Sequence, residues 1–457
     1  MKQNTKSSTR KLAPLNLLDP TCAGIDVGSN ELFVCIAKNQ SEQEVRSFLT
    51  FTADLRAMIQ WLKESNIKSV AMESTGVYWI VPYEMLDEAG FEVILVNAQF
   101  FKSVPGRKTD VQDCQWIQQL HSYGLLRGSF RPSNDIIELR SYVRQRSRLF
   151  ESAATQVLLM HKALTQMNIQ LNHVISDITG VTGLNIIRAI LQGQRKPEIL
   201  AELSVGQCRK NIKLIIKALE GNFRKEHLFA LEQSYEGYEF FHKQIHKCEQ
   251  SIQKTLSSMQ TDRVIPPQDN KESNSPKKCA HKTKSNRSPY FFNASDAIKK
   301  VTLTDLTTIP GVDTNTAMKI LSEIGTAMEH WPNAKAFASW LGLCPGNKVS
   351  GGKILSSKTK PTDNRVAKAL RMAAASLYRS KTAIGAFFRR MRARLGAPKA
   401  ITAVAHKLSR ILYRMMTTGE SYREVGENYY EQQYQERVLV NLMKRAKDLG
   451  YILIKAN

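Results

Sequence analysis

Nowhere in this 457-residue chain do 18 apolar residues run together, and no two of its seven cysteines stand as Cys-x-x-Cys. The first absence argues against a membrane-spanning helix. The second argues against a zinc ribbon or a thioredoxin-type redox pair. Cys22, Cys35, Cys114, Cys208, Cys248, Cys279 and Cys344 are odd in number and far apart, a pattern expected of reduced thiols in a cytoplasm rather than of a disulfide framework. The opening Met1-Lys2-Gln3-Asn4-Thr5-Lys6 has no apolar core of the signal-peptide kind. Acid is also scarce: 41 Asp and Glu face 65 Lys and Arg, a formal charge of +24. An excess of that size selects a polyanionic partner, most simply nucleic acid, and no basic amphipathic anchor turns it toward a membrane. His242 and His246 stand four apart as helical metal ligands do, but lack a third ligand.

The chain opens with a polar, basic tail over 1–20. Three strands then read as hairpins: Cys22–Val27, Glu31–Ala37 and Glu44–Phe51, the first two joined by the turn-forming Gly28-Ser29-Asn30. Helix and strand alternate after that. A helix over Ala53–Glu64 precedes a strand at Lys68–Met72. A helix over Val77–Ala89, capped by Gly90, precedes a strand at Phe91–Val96, and a last helix runs from Thr109 to Tyr123. This order describes an α/β domain, a mixed sheet with helices packed on it.

Acidic residues sit at telling places in that order. Asp26 lies in Gly24-Ile25-Asp26-Val27-Gly28, Glu73 at the end of Ser69-Val70-Ala71-Met72-Glu73, and Asp110 and Asp113 open the last helix in Lys108-Thr109-Asp110-Val111-Gln112-Asp113. A spacing of three puts Asp110 and Asp113 on one helix face, with β-carbons about 5–6 Å apart. Two such carboxylates repel by about 3 kcal/mol at an effective dielectric near 20. A shared Mg²⁺ or Mn²⁺, which prefers hard oxygen ligands, removes the conflict. An Asp-x-x-Asp alone is usually only a solvated helix face. Four acids on strand, strand and helix make a site the better reading.

Two heptad-spaced series follow. One runs Leu139, Val143, Arg146, Phe150, Ala153, Val157, Met160, Leu164, Met167; the other Leu228, Leu231, Tyr235, Tyr238, His242, Ile245, Glu249, Ile252, Leu256, Met259. They suit either an antiparallel coiled coil and oligomer interface or the core of one helical domain. Shorter helices, broken at Gly180, Gly183 and Gly193, are expected between them. Asp262–Ser288, with Pro266, Pro267, Pro276 and little apolar content, reads as a linker. Thr308-Ile309-Pro310-Gly311-Val312-Asp313 before a helix at Thr314–Ile324 resembles a helix–hairpin–helix element, whose backbone N–H groups can face a phosphate. From Gly346 to Arg414 there are 17 Lys or Arg and one acid, Asp363. Lys348, Lys353, Lys358, Lys360, Arg365, Lys368 and Arg371 are the expected nucleic-acid contacts. Among them Ser350, before Gly351-Gly352, is sterically open; such a turn is most often only a turn.

The four acids in this order resemble the RuvC-like branch of the RNase H-like fold, in which two metal ions flank a scissile phosphate. With Pro345-Gly346-Asn347-Lys348-Val349-Ser350-Gly351-Gly352-Lys353 added, nearly the whole chain resembles the DEDD transposases of bacterial insertion sequences, also called bridge-RNA-guided recombinases. The resemblance implies Mg²⁺ (or Mn²⁺) on Asp26, Glu73, Asp110 and Asp113. It implies Ser350 as the nucleophile that becomes covalently attached to DNA, with Ser356 and Ser357 as neighbouring candidates. It also implies donor and target DNA as substrates, a non-coding guide RNA, dimer or tetramer assembly, and a bacterial cytoplasmic setting. The expected domains are a tail (1–20), a RuvC-like domain (21–135), a helical coiled-coil region (136–260), a basic linker (261–296), a mostly helical C-terminal transposase domain (297–425) and a helical tail (426–457). Three rivals remain. A RuvC-like nuclease that only hydrolyses would need the acids but not Ser350. A sugar-kinase or actin-type ATPase would need a second Asp-x-Gly-Gly loop, which is missing. A binder without catalysis would leave the four acids without a role.

Overall fold

The computed structural model describes residues 17–38, 42–74, 76–97, 109–259 and 289–454. The expected basic tail, apart from its last four residues, and the expected linker as far as residue 288 lie outside them. The chain divides into two compact units, residues 1–131 and 132–457.

The first unit is built on five strands: β1 (Cys22–Val27), β2 (Glu31–Ala37), β3 (Gln43–Leu49), β4 (Ser69–Glu73) and β5 (Glu92–Val96), in the order β3-β2-β1-β4-β5. β1, β2 and β3 pair antiparallel, whereas β1, β4 and β5 pair parallel. That order and mixture are those of the RNase H-like fold. Helices α1 (Thr52–Glu64) and α2 (Ile80–Glu88) supply the parallel crossovers, and α3 (Asp110–Ser122) closes the unit.

Alternation along the strands decides what each face carries. Ala23, Ile25, Val27, Val70, Met72 and Leu95 share a core with Leu55, Met58, Trp61 and Leu62 of α1 and Leu86 of α2. Each fully buried large side chain there contributes about 1.5–3 kcal/mol. The intervening residues face the other way. Ala71 and Val96 pack with Ile117 of α3. Gly24 has no side chain because α3 takes its place: a Cβ there would lie 2.5 Å from the Cys114 carbonyl and 2.3 Å from the Gln118 amide nitrogen.

The second unit is mostly helical. Its helices are α4 (Asn134–Gln166), α5 (Val181–Leu191), α6 (Pro197–Glu202), α7 (Ile212–Ala218), α8 (Lys225–Ser258), α9 (Ala294–Thr302), α10 (Thr314–Ile324) and α11 (Ala334–Trp340). A hairpin of β6 (Lys348–Ser350) and β7 (Lys353–Ser356) follows, and then α12 (Arg365–Ser376), α13 (Ala383–Leu395), α14 (Ala397–Thr418) and α15 (Gly426–Asp448). Helices α4 and α8 carry the two heptad series and pack antiparallel. The charged member of each series finds the other: Arg146 and Glu249, both buried, form an ion pair at 2.7 Å. Arg146 also donates to the Pro289 carbonyl at 2.5 Å and lies over the rings of Tyr290 and Phe150. The Glu249 carboxylate accepts from the Phe291 amide at 3.1 Å. The pair therefore pins the chain where it returns to the helices at residue 289.

One expected break is absent. Gly183 lies inside α5 rather than ending a helix; a Cβ there would sit 2.2 Å from the Ile178 carbonyl, so the glycine serves a close approach. Gly180 and Gly193 do bound α5, the latter at φ +95°.

Candidate catalytic site

Asp26 is next to last in β1 and Glu73 last in β4. Their predecessors, Ile25 and Met72, are register partners in the parallel pair. Since paired residues share a face, Asp26 and Glu73 point together to the α3 side of the sheet. Helix α3 runs opposite to β1, with Cys114 and Gln118 over Gly24 and its first turn over the strand ends. Thr109 caps that turn, its hydroxyl accepting from the Gln112 amide at 3.4 Å. Asp110 and Asp113 both fall within it, where the positive end of the helix dipole favours carboxylates.

The electrostatics register the convergence. Burial pushes the Asp26 carboxyl up to about 7, and the charges of Glu73, Asp110 and Asp113, in that order, push the same way; only the Val27 amide opposes them. The other three predicted acids thus lie near enough for their charges to act on Asp26, with Asp110 exposed and the rest half-buried, although no three of the four hold carboxylate oxygens within 4.8 Å of one another. The donor set is carboxylate oxygen alone, in mutual repulsion, which is the chemistry of a hard divalent cation such as Mg²⁺ or Mn²⁺.

A second polar cluster occupies the other end of the same strands. Asp19, Cys22 and His121 hold ligand atoms within 4.8 Å of one another, the one such group among the described residues. Its internal bonding explains it as a latch. The Ser69 hydroxyl donates to Asp19 and meets His121 Nε2 at 2.9 Å. Thr21 gives Asp19 two hydrogen bonds of 2.9 Å, and the Leu18 and Asp19 amides donate to the Ser122 carbonyl. These contacts fasten the segment before β1 to the end of α3. Sequence reading missed them because none of the residues forms a recognisable spacing. The Gly24 contact was legible in principle, as a glycine in the middle of an apolar strand.

His242 and His246 do not form a site with each other. His242 packs on Tyr238 at 4.3 Å between ring centres, and His246 on Phe291 at 4.4 Å.

Ser350 belongs to the second unit, at the tip of the β6–β7 hairpin. It is exposed, and its cross-strand partner is Lys353. Gly351 and Gly352 take φ of +54° and +74°, the two-residue turn that matches strand twist and that glycine adopts without strain. Ser357 is exposed beyond the hairpin, while Ser356 is half-buried and its hydroxyl accepts from the Lys358 amide at 3.4 Å.

The basic stretch is less uniform than its composition. Lys348, Lys353, Lys358, Lys360, Arg365 and Lys368 are exposed and Arg371 half-buried, although Lys368 pairs with Asp363. Farther on, part of the charge is committed internally. Arg389 pairs with Glu427, Arg390 pairs with Glu431 and lies over Tyr434, and Lys407 lies 4.6 Å from the Phe387 ring centre. The acids that neutralise this part come after residue 414, on α15.

No described helix is long and apolar enough to cross a membrane. Residues 23–169 match the family model of DEDD transposases of the IS110 type, described as Transposase. Residues 303–389 match the model described as the transposase IS116/IS110/IS902 family. Together the two matches span about half the chain. No curated protein matches it.

Proposed function

Because the chain belongs to the IS110 family of DEDD transposases, we propose that its two units divide one DNA recombination reaction. In this reading the first unit holds divalent metal and the second supplies a serine nucleophile. The observation that carries it is the placement of Asp26 and Glu73 on one face at the ends of β1 and β4, with Asp110 and Asp113 in the first turn of α3 near enough for all three charges to act on Asp26. Asp26, Glu73, Asp110 and Asp113 are the proposed ligands. When bound, Mg²⁺ or Mn²⁺ would neutralise these carboxylates and polarise a phosphate oxygen.

Ser350 is the proposed nucleophile. Its Oγ displaces one deoxyribose oxygen from phosphorus, so one P–O bond forms as another breaks. The serine proton goes to solvent and the released hydroxyl takes one up. The reverse exchange onto a new strand end frees the enzyme and rejoins DNA without an external energy source. Lys353, across the hairpin from Ser350, supplies a cation for the phosphate, and Lys348 adds another one step away. A guide RNA and self-association complete the proposal. The former is supported by the +24 charge. The latter is supported by exposed Leu158, Leu159, Phe229 and Phe240 on α4 and α8.

Trapping the protein on DNA tests the reaction. The protein, with any RNA that co-purifies and is sequenced, is incubated with plasmid DNA flanking its own gene and run on a denaturing gel. Wild type is expected to give a Mg²⁺-dependent protein–DNA adduct that Ser350→Ala abolishes while DNA binding persists. Cleavage that survives Ser350→Ala without adduct would identify a hydrolytic nuclease instead.

A further inference from the structure

The hairpin that carries Ser350 is bare on both faces. Val349, Ile354 and Leu355 keep 59%, 64% and 70% of their surface, although two strands alone are marginally stable in water. Val349 and Ile354 are cross-strand partners, as are Ser350 and Lys353. Alternation therefore puts an apolar pair on one face of the ribbon and the hydroxyl with its lysine on the other. The tip is the Gly351-Gly352 turn. Below it the stem continues through the Pro345–Thr359 bridge and a 2.9 Å bond from the Gly346 amide to the Lys358 carbonyl.

Charge identifies what the hairpin as a whole meets. Lys348, Lys353, Lys358 and Lys360 lie on the hairpin and its stem, and the nearby acid, Asp363, is already paired with Lys368. A second copy of a +24 chain would meet these cations with its own positive surplus. A DNA duplex instead offers phosphates to the lysines and stacked bases to the apolar side chains.

We propose that Val349 and Ile354 form a wedge that enters the DNA duplex beside the scissile phosphate and unstacks one base step. Aliphatic side chains inserted between bases act in this way in DNA-bending proteins. Here the opened step turns its phosphate toward Ser350 and Lys353 on the opposite face. The two residues are positioning residues, and the proposal rests on the reading of Ser350 as nucleophile.

The test uses the full-length protein and short duplexes carrying 2-aminopurine at TA steps, which unstack readily. Wild type and Ser350→Ala should both raise the fluorescence. A Val349→Thr/Ile354→Thr double variant, which keeps β-branched residues in the strands, should not raise it and should form adduct roughly tenfold more slowly. A mismatch at the cleaved step, which pre-pays the unstacking, should restore adduct formation by the double variant. Equal fluorescence from wild type and double variant, or no rescue by the mismatch, would overturn the wedge. A double variant that sediments as a smaller oligomer without DNA would assign the face to a second copy and overturn it too. Adduct persisting in Ser350→Ala would instead remove the nucleophile, leaving the fluorescence arm to decide the wedge separately.

Discussion

At the scale of single residues, Asp26 is where structure and chemistry meet. A carboxyl whose folded value is raised binds its proton more tightly in the native state than in the unfolded chain. Its stabilising contribution is therefore complete below the unfolded value near 4 and is lost as pH rises through about 7. Without divalent cation, the first unit should lose stability as pH rises from about 4 to about 7. Asp26→Asn removes the charge and should raise the metal-free melting temperature at pH 8 by about 4 °C, the shift that roughly 1 kcal/mol gives a unit of this size. Added Mg²⁺ should stabilise wild type more at pH 8 than at pH 5, and this variant hardly at all. Thermal scans at the two pH values check both statements. The acids themselves were legible in sequence, since Asp26 interrupts one apolar run, Glu73 ends another, and Asp110 and Asp113 share a helix face. The Asp19–Ser69–His121 latch was not, because three hydrogen-bonding residues 50 and 52 positions apart leave no local pattern.

At the scale of elements, the site depends on how closely α3 lies on β1. Gly24→Ala would drive a methyl group into the Cys114 carbonyl and the Gln118 amide of that helix. Overpacking of this kind costs about 1–3 kcal/mol, and the displaced helix carries Asp110 and Asp113 away from Asp26. The variant should therefore lose metal-dependent stabilisation out of proportion to its loss of folding stability, as denaturation with and without Mg²⁺ would reveal. Between α4 and α8 the buried Arg146–Glu249 pair makes a different prediction. Glu249→Ala strands a buried guanidinium and should cost about 3–5 kcal/mol, whereas Arg146→Met with Glu249→Leu should be closer to neutral. Urea midpoints of the single and double variants decide this. Strand and helix positions were readable from period-two and heptad spacing. Sequence could mark Arg146 and Glu249 as polar intruders in two apolar series, but not as each other's partner. Gly183 was misread because a glycine that ends a helix and one that admits a neighbouring carbonyl look alike in one dimension.

At the scale of the whole molecule, the +24 charge governs encounter with nucleic acid. Affinity should fall linearly in log–log with salt, by about 0.9 per phosphate neutralised on duplex DNA. Replacing both Lys348 and Lys358 by Gln should lower that slope by nearly two, whereas Arg390→Gln, already paired with Glu431, should change it little. Filter binding across salt concentrations separates the two. Composition marked the stretch from Gly346 to Arg414 as uniformly basic. The partition between a bare hairpin region and arginines enclosed by α15 arises from packing that composition does not encode. The central claim remains that four acids distant in sequence form one cation site. Titration of Mn²⁺ into the protein, followed by its paramagnetic resonance signal, tests it most directly. Saturable binding is predicted for wild type and for Cys22→Ser, with loss in Asp26→Asn and in Asp113→Asn. Identical isotherms for all four proteins would contradict it.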